Sequence, residues 1–141
     1  MTDDALELAL RGLRHRDRSS AEVDRQLAAR GVGEDERRTT LETLARTGVV
    51  DDRRFAESRA SSLAERGAGD ALIRHELRRA GVGEDDIDGA VAALATERER
   101  AQLVVERRGG GPKTARYLAG KGFAEDVVHA VVAESYDETL G

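Results

Sequence analysis

The side chains able to do chemistry in this sequence are cations, and they come in clusters. Between Arg107 and Ala124 stand Arg107, Arg108, Lys113, Arg116 and Lys121, with no acid among them and Tyr117 inside the run. Guanidinium and ammonium groups beside an aromatic ring suit phosphates, stacked bases or the carboxylates of a partner protein. A second set, Arg53 and Arg54 with Arg74 and Arg78, marks the middle of the chain. Arg11, Arg14 and Arg18 follow spacings of three and four, which would place them on one helix face. The plainer reading of any such run is a solvated, salt-bridged helix surface. These residues are therefore candidates for partner contact and for nothing more specific.

Other chemistries fail on spacing. His15, His75 and His129 lie far apart in sequence. His75-Glu76 opens like a zinc-protease helix, but Arg79 stands where the second histidine must be. Gly31-Val32-Gly33 and Gly81-Val82-Gly83 follow helical patterns and lack the third glycine of a dinucleotide fingerprint. Around Gly120-Lys121 the upstream glycine of a phosphate loop is missing, and Gly122 replaces its hydroxyl residue. No Ser, His and acid combination proposes itself as a nucleophile. With no cysteine, disulfides and thiolate chemistry are excluded. The sequence predicts no enzyme, no catalytic or metal site and no cofactor.

The elements that must position the cations repeat. Leu27 to Asp35 aligns with Leu77 to Asp85 and with Leu118 to Asp126, and Gly31, Gly81 and Gly122 fall 50 and 41 residues apart. A period of that length signals stacked helical units, each needing its neighbours to bury its apolar stripe. The expectation is an all-α chain: three tandem three-helix repeats, 1–49, 50–95 and 96–141, forming one elongated, curved array. Leu10, Ala60 and Ala101 superpose in this scheme, as do Leu13, Leu63 and Val104, so all six are expected in the core.

Helix boundaries follow from local chemistry. Ser19-Ser20-Ala21-Glu22 and Thr96-Glu97-Arg98-Glu99 are capping-box patterns, the second predicting a break in a stretch poor in Gly and Pro. Asp51 and Asp52 are cap candidates, and Gly31 suits a left-handed helix end. Pro112, after Gly109 to Gly111, fits a first helical position. The turn around Gly31 could suggest a DNA-reading helix-turn-helix. Its second helix, however, opens with Glu34, Asp35 and Glu36, and its counterpart with Glu84, Asp85 and Asp86, which would repel phosphates.

Composition agrees. The chain has 141 residues, 39% hydrophobic, yet only four are Phe or Tyr, which suits closely packed Ala-rich helices rather than a β-sandwich. The net charge of −5 weakens a main role in gripping DNA. The acidic start, Met1 to Asp4, does not read as a signal peptide, and no apolar run approaches the roughly 20 residues that span a bilayer. A cytoplasmic monomer without membrane contact is expected.

With the repeat in hand, four stretches resemble the RecX family, regulators of the bacterial recombinase RecA. Asp51, Asp52, Phe55 and Ala56 match its Asp-Asp-x-x-Phe-Ala motif, and Gly69, Ile73, Glu76, Leu77, Gly81 and Val82 continue it. Tyr117, Leu118, Lys121, Gly122 and Phe123 resemble the C-terminal signature. Arg16, Arg18, Ser19, Ala21, Glu22, Val23 and Leu27 fit the first repeat. The resemblance implies an array lodged in the groove of the RecA–single-stranded-DNA filament. There it would inhibit ATPase and recombinase activity and so limit homologous recombination and the SOS response. The matching Phe55, Ile73, Leu77, Gly81 and Phe123 belong to the fold. The expected contact residues are instead Arg53, Arg54, Arg74, Arg78, Arg107, Arg108, Lys113, Arg116 and Lys121, chosen on charge. Weak direct DNA contact through the basic run, or a scaffold role for another protein, stands as the alternative.

Overall fold

In the computed structural model the backbone is described over residues 2–140 and the side chains over 4–135. Among the described residues there are nine α-helices and no strand. They are α1 (Thr2–Leu13), α2 (Ser20–Ala29), α3 (Glu34–Arg46), α4 (Asp52–Glu65), α5 (Asp70–Arg79), α6 (Glu84–Ala92), α7 (Glu97–Arg108), α8 (Pro112–Gly120) and α9 (Glu125–Leu140).

The boundaries have local causes. Ser19 and Thr96 each close a capping box, their side chains accepting from the Glu22 and Glu99 amides while those glutamates reach back. Asp51 caps α4 by accepting from the Arg54 amide, and Pro112 opens α8. The turns after α2, α5 and α8 pass through Gly31, Gly81 and Gly122, all at φ between 81° and 88°. Only glycine adopts that backbone without strain.

The core falls into three clusters, one for each successive triplet of helices. Ala9, Val23, Leu27, Leu44 and Val50 form the first. Phe55, Ala56, Ala60, Ile73, Leu77 and Ile87 anchor the second, and Ala101, Val105, Leu118, Phe123, Val128 and Val131 make the third. Two expectations need correction. In α1 the buried face is Ala5, Ala9 and Gly12, while Leu6, Leu10 and Leu13 are half-buried at its flanks. Counted from the caps Asp51 and Thr96, Ala101 matches Ala56, so the buried counterparts of Ala60 are Ala9 and Val105 and not Leu10 and Ala101. Small residues win there because α2 approaches closely: a Cβ on Gly12 would sit 2.7 Å from Gln26 Oε1. Arg11, Arg14 and Arg18 do not share a helix face, since α1 stops at Leu13.

The triplets are joined by one tie used twice. The Ser20 amide, at the start of α2, donates to Asp52 at the start of α4 (2.7 Å). The Asp70 amide, at the start of α5, donates in the same way to Glu97 at the start of α7 (2.7 Å). The turn after the next second helix then seats on that helix start. Ser19 Oγ donates to the Ala80 carbonyl, and the Gly69 amide donates to the Lys121 carbonyl (2.8 Å). Glu97 also accepts from the Ala124 amide (2.7 Å), holding both sides of the second junction. Its remaining charge is Arg100, only 9% exposed, which donates to Asp70 (2.7 Å) and to the Ala95 and Ala68 carbonyls.

Ser19 therefore serves as helix cap and junction donor together. Ser19→Ala is expected to destabilise the chain by about 2 kcal/mol, one part for the cap and one for the orphaned Ala80 carbonyl. Urea unfolding followed by circular dichroism measures it; a loss no larger than that of an exposed Ser58→Ala control would remove the junction role.

Candidate partner-binding surface

The nine cations picked on charge separate into two sets once their neighbours are visible. Those of the middle triplet are already neutralised. Arg53 pairs with Glu57 one turn on (3.4 Å). Arg54 donates to the Gly48 and Val49 carbonyls (3.0 and 3.1 Å) and approaches Asp17 (3.5 Å), so it fastens the α3–α4 turn. Arg74 pairs with Asp88 at 2.7 Å. Arg78 engages both oxygens of Glu84 at 2.7 and 3.4 Å. That hydrogen bond, then the carboxylate's charge, raises the Arg78 pKa further above its ordinary value.

The third triplet behaves differently. Arg107, Lys113, Arg116 and Lys121 have no carboxylate partner among the described residues. Arg108 lies over the Tyr117 ring, 3.7 Å from its centroid. The turn explains this meeting: Gly109 and Gly111, at φ 82° and 106°, reverse the chain so that α8 runs back beside α7. Arg107 and Arg108 end α7, where cations complement the helix dipole. Tyr117 and Lys121 reach across to Gly67, where an added Cβ would lie 3.5 Å from the Tyr117 hydroxyl and 3.8 Å from Lys121 Cε. The basic run thus spans the junction between second and third triplets.

Beside it lies a groove of about 370 Å³ between α4 and α7, edged by Arg107 and lined by Leu94, Leu103, Val104 and Phe123. Leu103 is 52% exposed, a large apolar side chain in a charged neighbourhood. Carboxylates or phosphates can be held by these cations, and an apolar group can rest on Leu103.

Sequence reasoning missed two arginine sites. Arg100 sits in the core, stacked 5.9 Å from the Phe123 centroid and paired to Asp70. Its sequence signal was a charge at the position that Phe55 fills in α4. The other is a groove of about 360 Å³ at the first junction, where Arg16, Arg25, Arg59 and Arg79 surround Glu22 and Glu76. Its residues come from four elements, so no linear spacing announces it. The three histidines are all exposed, and no described group of His, Asp or Glu has the arrangement of a metal site. No described helix is long and apolar enough to cross a membrane.

Comparison with known proteins places the chain. A family profile for the second three-helix domain of RecX matches residues 51–91, which hold α4, α5 and most of α6. The regulatory protein RecX of Halorhodospira halophila is 33% identical over 142 residues, covering 94% of this chain and 88% of that protein. The chain belongs to the RecX family. The regulatory protein RecX of Mycolicibacterium smegmatis is 34% identical over 93% of this chain and 79% of its own length. A crystal structure of RecX from Lactobacillus salivarius superposes with a TM-score of 0.81 at 19% identity, covering 94% of this chain and 95% of that one. The all-α array is thus the RecX fold, and these relatives carry the name of regulatory proteins, not of enzymes.

Proposed function

We propose that this chain is a cytoplasmic regulator of the RecA recombinase. It binds RecA and the RecA–single-stranded-DNA filament and restrains ATPase and strand-exchange activity without catalysis of its own. RecX-family membership along 94% of the chain carries this reading. The three triplets act as one continuous surface, since the same backbone tie joins each to the next. An array of that kind suits contact with several protomers of a filament. The unpaired cations of α7 and α8 are the contact residues best supported, because they need break no existing ion pair to meet a partner.

The deciding measurement is RecA's ATPase rate on single-stranded DNA, titrated with this protein. A steep fall at well under one molecule per RecA protomer is the expected outcome. A flat titration with folded protein would sink the reading. Direct DNA binding is the second reading, favoured by the same unpaired cations. It requires salt-sensitive affinity for single-stranded DNA with RecA absent, and no affinity at low salt ends it.

A further inference from the structure

The groove between the second and third helix is bridged by an ion pair in the first two triplets and left open in the third. Buried positions fix the register of the comparison: Val23, Ile73 and Thr114 correspond, as do Thr40, Ala90 and Val131. In that register Asp24, Arg74 and Ala115 share one position on the second helix. Asp24 is held by Arg37 of α3 at 2.9 Å. Arg74 holds Asp88 of α6 at 2.7 Å. The third-helix positions of Arg37 and Asp88 are taken in α9 by Val128 and His129. Ala115 and these two residues replace both halves of the pair. What remains is an open cavity of about 470 Å³, lined by Pro112, Ala115, Val128, His129 and Val132, with Glu125 at its edge.

We propose that this groove receives a bulky apolar side chain from a protein segment that also bears carboxylates. The lining offers methyl and methylene groups and little that could hydrogen-bond, so the group entering it must be apolar. Lys113 and Arg116, on the same helix as Pro112 and Ala115, are exposed and unpaired, and they supply attraction for acids. Glu125 on the α9 side directs those acids toward α8. It also opposes a phosphodiester chain, which could not confine its charge to one edge. The segment fits the helix-in-groove mode, with apolar anchors spaced i and i+4. This inference stands apart from the recombinase reading, since any acidic amphipathic segment satisfies it.

The test uses ¹⁵N-labelled full chain and a capped, Glu-rich helical peptide with two leucines four positions apart. One counterpart peptide replaces the leucines by alanine, another the glutamates by lysine. Wild-type protein should show amide shifts at Ala115, Val128, His129 and Val132 with the first peptide. Each counterpart should bind at least about tenfold more weakly, as expected for losing a buried leucine or the charge match. The double variant Ala115→Arg, His129→Asp transplants the ion pair of the second triplet and should lose the response while keeping its helix content. Absence of shifts at millimolar peptide overturns the proposal, as does an equal response to the leucine-free or lysine peptide. A folded double variant that still responds overturns it too. Should that variant unfold, the peptide comparison on wild-type protein decides alone. No recombinase enters the assay, so its outcome is independent of the ATPase titration.

Discussion

Gly69→Ala will be among the most damaging single methyls that can be added to this chain. Gly69 has an ordinary φ of −82°, so alanine is conformationally acceptable there and only space forbids it. An added Cβ would collide with the backbone of Gly122 and Phe123. Backbone atoms cannot rotate aside, so the second and third triplets must separate locally. Three of the bonds there cross the seam: Gly69 to Lys121 (2.8 Å), Ala71 to Gly122 (3.2 Å) and the Asp70 amide to Glu97 (2.7 Å), while Glu97 is itself anchored by the Ala124 amide (2.7 Å). Overpacking costs about 1–3 kcal/mol, and each buried bond weakened adds about 1 kcal/mol. A loss of about 3–5 kcal/mol is expected, a fall of about 10 °C or more in thermal midpoint for a chain of this size. Gly89→Ala is the matching control. Gly89 is exposed within α6 with nothing near its missing Cβ, so the same change should stabilise by about 0.5–1 kcal/mol. Midpoints that move together for the two variants would show that the seam does not hold the array.

The seam also marks where sequence reading stops. Capping boxes at Ser19 and Thr96, the proline opening α8 and the left-handed glycines after α2, α5 and α8 act within one turn of themselves. Their spacing alone therefore declared them, and the all-α architecture followed. Asp52 looked like a second cap for α4, and its larger use is to accept from Ser20, 32 residues earlier. Glu97 appeared only as a filler in a capping box, yet it holds two amides, that of Asp70 opening α5 and that of Ala124 just before α9. Arg100 broke the apolar pattern of its position without announcing Asp70 as its partner. Such ties join residues whose proximity is created by folding, and no linear period encodes them. The one-residue slip between Leu10 and Ala9 has the same root. Size, not hydrophobicity, chose the buried residue where two helices come close.

The candidate surface was legible as composition and illegible as electrostatics. All nine cations were visible as charges, but the sequence could not say which were spent. Arg53, Arg74 and Arg78 face Glu57, Asp88 and Glu84, two of them at hydrogen-bond distance across a turn or between helices. The stretch from Arg107 to Ala124 contains no acid, so its cations stayed unpaired unless another helix supplied one. Among the described residues none does.

That difference makes a prediction of opposite outcomes for two triple variants. Lys113→Glu, Arg116→Glu and Lys121→Glu together should raise the concentration of protein needed for half-inhibition of the RecA ATPase by at least about tenfold, or about 1.4 kcal/mol. Arg53→Ala, Arg74→Ala and Arg78→Ala together should change it by less than about threefold, because each of these cations already shares its charge with a carboxylate and presents little field to a partner. Both variants should keep their helical circular dichroism, since none of the six side chains lies in the core. The effect on the first should shrink as salt is raised from low to physiological strength, because exposed charges beyond about 8–10 Å are screened there. The same protein, assayed on single-stranded DNA without RecA, separates the two readings of the surface. If the charge-reversed variant loses inhibition while wild-type chain has no DNA affinity at low salt, the basic run meets protein. If both activities fall together, it meets phosphate. If the middle triple variant loses as much inhibition as the first, unpaired charge is not what selects the contact surface. The filament would then be gripped through side chains that exchange one carboxylate for another.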